Sequence, residues 1–185
     1  MVGLRAGSLA LALFFSVTSQ THATVFAPAD LTQLVLAARA IVHGRIVDLR
    51  PQLTDDHRRV DTLVTIDVAT YLKGDLGSMV TFRVPGGELG RYRTVVLDAP
   101  HFGVGEEVVL LLSARGPSIP YVLGLTQGVF RVAPDPVTGE RRVTPAPLVR
   151  EGADWRPVVR GDPARQSPLL TDFARQVQSI LGAQR

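Results

Sequence analysis

Past its first 23 residues the chain holds three histidines, His43, His57 and His101, and no cysteine. A zinc centre takes three or four N, S or O ligands, and a catalytic one keeps a position open. The three histidines show no HxH, HExxH or HxxxH spacing, so only the fold could gather them, with Glu106 or Asp98 as further ligands. The simpler expectation puts His43 on a strand face, His57 at a loop tip and His101 in a loop, with no metal and no cofactor. Nucleophilic catalysis needs an activated Ser or Cys. Cysteine is absent, and none of Ser78, Ser113, Ser118, Ser167 and Ser179 sits in a G-x-S-x-G elbow. Two carboxylates suffice for glycoside cleavage, but Glu106-Glu107 leads into a strand and is expected to face solvent. The glycine-rich stretch Pro85–Gly90 lacks the GK[ST] ending of a phosphate loop, and no helix follows it. A non-enzymatic protein is the expectation. A metal-dependent hydrolase using His43, His57, His101 and nearby acids is the enzymatic alternative.

Recognition suits these residues better. The glycine-rich stretch carries Glu88 and runs into Arg91-Tyr92-Arg93, and exposed Arg and Tyr favour interfaces. With His101 and Phe102 from the 98–105 loop, they form the predicted contact surface: Glu88, Arg91, Tyr92, Arg93, His101 and Phe102. The expected partner is another protein. Nucleic acid is not expected, because aromatics are 6% of the chain and the net charge is only +3. Nineteen of the 20 basic residues are Arg, and Lys73 is the only lysine.

The elements that must position these residues are mostly strands. Asp30 and Gln33 have capping-box spacing, and Leu31, Leu34, Val35 and Ala38 share a helical face. A short helix is predicted, ending near 38–40. From Ala40 the period becomes two. Val42 and Ile46 share one face of a strand over Ile41–Leu49, His43 and Arg45 the other, and Gly44 marks a bulge or bend. A hairpin loop at 51–58 leads to the clearest strand, Val60–Tyr71, whose length predicts curling and a change of neighbours along it. After a turn at 73–77, Val80, Phe82 and Val84 define a third strand that Pro85 ends. A flexible loop at 86–90, a weaker strand at Tyr92–Leu97 and a loop at 99–105 follow. Glu107–Leu112, apolar on both faces from Val108, is predicted to be a fully buried central strand. Tyr121–Leu125 and Gly128–Val132 are further strands, with a hairpin tip at 135–139 and a return through Arg141–Val143. The 146–168 segment is a Pro/Arg-rich linker, with Trp155 as its one large apolar anchor. Leu170, Phe173, Ala174, Val177 and Leu181 form one face of a closing helix, with Ser167-Pro168 at its start.

Length and composition bound the whole. The chain has 185 residues, 45% hydrophobic and 20% charged, with 17 Gly and 13 Pro. That is enough for one domain with tails, and it excludes a wholly disordered chain. Residues 1–23 combine Arg5, an apolar run over Ser8–Val17 and Thr21-His22-Ala23, the pattern of a secretory signal cleaved after Ala23. The run is well short of the ~20 residues of a membrane span. The mature chain is therefore expected to be secreted or periplasmic, with no integral membrane span. The domain organisation reads as a signal peptide at 1–23, a β-domain at 24–145, a linker at 146–168 and a helix at 169–185.

Four stretches resemble the netrin/TIMP-type (NTR) OB-barrel, as in uncharacterised exported bacterial proteins. Ala40–Val47 is similar to that class's first strand, and Tyr71-Leu72-Lys73-Gly74 to its lysine-glycine turn after the second. Phe102–Leu111 resembles the lead-in to its fourth strand, and Thr126-Gln127-Gly128-Val129-Phe130 the start of its closing strand. The resemblance covers about residues 24–132. It implies a mainly β fold: a five- to six-stranded OB-like β-barrel with a short N-terminal helix and a C-terminal amphipathic helix. Its core would include Val42, Ile46, Val64, Ile66, Val68, Val80, Phe82, Val84, Leu110 and Phe130. The family's metalloprotease inhibitors chelate zinc through a mature N-terminal cysteine. Here Thr24 would take that place, and the family's disulfides are absent. What the resemblance implies most directly is a binding module; an inhibitor or partner of a secreted metalloprotease is the alternative it adds.

Overall fold

Two long strands lead the sheet. β1 runs Ala40–Leu53 and β2 runs Val60–Lys73, each 14 residues, joined by a turn in which Thr54 N–H donates to the Arg59 carbonyl. The computed structural model describes residues 30–114, 116, 118–145 and 167–183. The expected signal segment, Thr24, Trp155 and nearly all of the 146–168 linker lie outside the described residues. Ahead of β1 lies α1 (Leu31–Ala37). After β2 come β3 (Met79–Pro85), β4 (Gly87–Leu89), β5 (Tyr92–Thr94), β6 (Glu107–Ser113), β7 (Tyr121–Val122), β8 (Val129–Pro134), β9 (Arg141–Pro145) and α2 (Leu170–Gly182). Among the described residues the protein is thus mainly β with two α-helices, and no helix there is long and apolar enough to cross a membrane.

Seven strands form one sheet in the order β1-β2-β3-β7-β6-β8-β9, and β6 also pairs with β1. The pairing therefore returns on itself through β1, β2, β3, β7 and β6. The β3–β7 contact, Arg83 opposite Tyr121, is the parallel one. β4 and β5 make a separate two-stranded hairpin. The expected five or six strands become seven in the main sheet, and within the expected 86–90 loop Gly87–Leu89 pairs in register with Tyr92–Thr94 to make the added hairpin. β5 in turn stops at Thr94 rather than Leu97. β1 continues through Leu53, into the stretch expected to be loop. β7 is only two residues long, and Leu125–Gly128 is a 3₁₀ turn rather than the end of a strand.

The period-two pattern places the side chains as the sequence implies. Val42, Ile46, Val64, Ile66, Val80, Phe82, Val84 and Leu110 are buried in one core with Val108 and Leu112. Val68 is only partly buried against it. Phe130 belongs instead to a second core, because Val129 takes the first-core side of β8. β6 divides the two, with Val109 and Leu111 facing the second core. There the sheet meets α1 and α2 through Leu34, Val35, Phe173 and Val177. The Phe130 and Phe173 ring centroids are 4.8 Å apart. Each such fully buried side chain contributes roughly 1.5–3 kcal/mol.

At Gly44 the β1–β2 register shifts, as expected of a bulge. A Cβ there would stand 2.2 Å from the Asp67 carbonyl oxygen, so β2 crosses β1 at a distance only glycine permits. β2 pairs with β1 along its length but with β3 only over Asp61–Asp67.

The helix ends differ from expectation. Asp30 occupies the N-cap of α1, but its side chain makes no capping hydrogen bond. At the other end Lys73 Nζ donates to the Val35 and Leu36 carbonyls, both at 2.9 Å. Carbonyls at a helix C-terminus lack intrahelical donors, and a cation there is favoured. Burial pushes the Lys73 ammonium below its ordinary pKa. α2 begins at Leu170 with Leu169 as N-cap, so Pro168 is not its first residue. The reason is that 167–169 serves β9: Val143 N–H donates to the Pro168 carbonyl, and Leu169 bridges to Arg142.

Candidate cleft under the β4–β5 hairpin

The hairpin β4–β5 is pinned across β2 by two hydrogen bonds. Val60 N–H donates to Thr94 Oγ1, and Thr62 Oγ1 donates to the Gly86 carbonyl, each at 2.8 Å. The chain then passes through 95–102 and returns to the sheet at Phe102. That ring lies edge-on to Phe82, with centroids 5.5 Å apart and planes at 81°. Arg131 of β8 fixes this return: its Nη2 donates to the His101 carbonyl at 2.6 Å, and its Nη1 pairs with Glu106. Between hairpin, loop and sheet lies a cleft of about 530 Å³.

Its apolar lining is drawn from several elements: Leu49 of β1, Val64 of β2, Val84 and Pro85 of β3, then Val96 and Phe102. Glu88, Arg93 and His101 stand at it as polar groups. Glu88 and Arg93 face each other across the hairpin ladder. Chemically this is an apolar trough with charges of both signs at its rim, the build of a binding site with a few orienting polar groups. Val95, on its lining, is 73% exposed, and Leu97, two residues on, is 86% exposed.

Of the six predicted contact residues, Glu88, Arg93, His101 and Phe102 line the cleft. Arg91 and Tyr92 do not. They sit exposed at the hairpin tip, where the Arg91 guanidinium lies 5.1 Å from the Tyr92 ring centroid and its Nη2 donates to the Tyr92 hydroxyl. The exposed Val95 and Leu97 were absent from the sequence-based surface. Thr94–Leu97 reads as a strand, and only the hairpin's short register strands Val95 and Leu97 outside the ladder.

The three histidines are not brought together. His57 stands at the β1–β2 turn with φ of 54°, and His101 is at the cleft rim. His43, expected on a strand face, lies in β1 and is buried there, with its Nε2 2.8 Å from Glu107 Oε1. Arg141 and Arg45 approach the same carboxylate at 3.4 and 3.9 Å. Of the two acids expected to face solvent, Glu107 is only 17% exposed while Glu106 is 37% exposed, and each is engaged by a basic partner from another strand. Among the described residues no group of three or more His, Cys, Asp or Glu is placed to hold a metal ion.

No family model, no curated protein and no solved structure matches this chain.

Proposed function

We propose that the protein is an exported, non-enzymatic binding module, and that it takes a segment of another protein in the cleft beneath the β4–β5 hairpin. The observation that carries this reading is the roughly 530 Å³ apolar trough with the exposed Val95 on its lining and the exposed Leu97 two residues on. An apolar trough with charged residues at its edge binds a partner's apolar side chains and orients them by the rim charges. The scaffold is an OB-like barrel of the netrin/TIMP type. The return of β6 to β1 and the parallel β3–β7 contact support that assignment. Residues 1–23 direct export to the periplasm or the medium.

The test is capture by the mature chain from the native exported proteins. A partner retained by the wild type should be lost from a Val95→Ser, Leu97→Ser variant and from an Arg91→Ala, Tyr92→Ala, Arg93→Ala variant. Retention of the same partner by both variants would reject this surface. N-terminal sequencing of the exported chain should begin at Thr24; an intact Met1 would reject the export signal.

A further inference from the structure

A second pocket, of about 210 Å³, shares Val84, Pro85 and Pro100 with the cleft and is closed by Tyr121, Val122, Leu125, Asp61 and Arg83. It is smaller than the ~300–1,000 Å³ typical of drug-sized sites. Its walls are apolar except for a pair of opposite charges and the phenol of Tyr121. Asp61 Oδ2 lies 3.9 Å from Arg83 Nη1, close enough for attraction but too far for a hydrogen bond. The Asp61 side chain is 14% exposed and that of Arg83 39%. Arg83 Nε is buried with no hydrogen-bond partner. Native proteins rarely leave a buried donor in that state, and an ion pair removed from water is stabilising only when its remaining bonds are made.

The two charges come from adjacent strands. Asp61 is the second residue of β2 and Arg83 lies in β3, one residue before the pocket wall formed by Val84 and Pro85. Their backbone positions are held by the β2–β3 ladder and by the bond from Arg83 N–H to the Pro120 carbonyl. The side-chain heads approach each other only to 3.9 Å, and Arg83 Nε keeps a donor unused. A ligand carrying an ammonium and a carboxylate on one carbon would complete both: the ammonium on Asp61, the carboxylate on Arg83, in charge-assisted bonds. A side chain on that same carbon would lie against Val84, Pro85, Pro100, Val122 and Leu125. We propose that this pocket binds a free apolar α-amino acid. The assignment stands apart from the reading of the larger cleft, because the charge pair that carries it, Asp61 and Arg83, does not line that cleft.

The probe is L-leucine, titrated into the isotopically labelled full chain, with the methyl signals of Val84, Val122 and Leu125 as readout. Saturable shifts are expected, with a dissociation constant near ~1 mM, as suits so small a ligand. N-acetyl-L-leucine lacks the ammonium and L-leucinamide lacks the carboxylate. Each should bind at least ~10-fold more weakly, and so should L-leucine to Asp61→Asn and Arg83→Met chains. Equal binding of leucine and its two capped forms would overturn the proposal, whether or not the variants fold. So would the absence of any shift up to ~10 mM, ten times that constant. Binding of a leucine-containing tripeptide without binding of leucine would also overturn it, and would give the pocket to a peptide chain.

Discussion

Lys73 Nζ donates to the Val35 carbonyl at 2.9 Å, so the single lysine of the chain closes the C-terminal end of α1. The bond ties the last residue of β2 to the helix that precedes β1. It also gives the Lys73-Gly74 pair a local physical meaning: the lysine caps the helix and the glycine lets the chain turn away beneath it. Replacing Lys73 with Met keeps the apolar stem and removes the donor. Carbonyls left without a partner at a half-buried helix end should cost about 1–3 kcal/mol, read as a lower denaturant midpoint at unchanged slope.

Gly74 has φ of 68°, and a Cβ on it would stand 2.6 Å from the Arg39 carbonyl oxygen. Gly74→Ala combines left-handed strain with a backbone clash. A loss of roughly 1–3 kcal/mol is expected, and a thermal melt with the wild-type midpoint would contradict it.

Phe173 anchors α2 on the second core, where it is nearly fully buried against Phe130. Phe173→Ala should destabilise the fold by roughly 3–5 kcal/mol. Because Gln178 Nε2 also donates to the Leu72 carbonyl at 2.7 Å, loosening α2 should raise amide exchange at the end of β2 as well. Urea unfolding and hydrogen exchange measure the two effects separately.

The Asp135 carboxylate accepts from the Val137 and Thr138 N–H groups and from Arg142, and these hold its pKa below the ordinary 3.8. A carboxylate whose folded pKa is depressed stabilises the fold above its unfolded pKa, and that contribution is lost as pH falls through the folded value. Asp135→Asn should therefore lower the melting temperature at neutral pH. The difference from wild type should vanish at a pH well below the carboxylate range. A difference that persists in acid would show that the turn's hydrogen bonds, not the charge, carry the effect.

Arg91 and Tyr92 contact each other at an exposed tip, and Arg93 is exposed beside them. Replacing all three with Ala should change stability by no more than ~0.5 kcal/mol. Loss of partner capture at an unchanged melting temperature is the expected combination. A large drop in melting temperature would mean that the hairpin is part of the fold's cooperative unit.

Much of the sheet was legible because side-chain direction in a strand is a local property. In β2, Val64 and Ile66 had to face one core whatever β2 paired with, and the two apolar faces of Val108–Leu112 announced a strand buried on both sides. Gly44 likewise declared its bulge. The candidate surface was legible only in part. Arg93, His101 and Phe102 could be chosen by type and loop position, but Leu49 and Val84, far from them in the chain, complete the trough. The buried state of His43 was not legible, because its partner Glu107 lies 64 residues away.

The sequence by itself determined the mainly β class, the two helices and most of the first core, since periods of two and of 3.6 residues sort apolar side chains onto faces without knowledge of the partner. The tertiary structure alone decided which faces meet. It brought α1, α2 and β8 into a second core, set Lys73 on a helix 37 and 38 residues upstream, and left Asp61 and Arg83 facing one small pocket. Those outcomes depend on strand register and crossover, which are settled by contacts between distant residues and leave no local period in the chain.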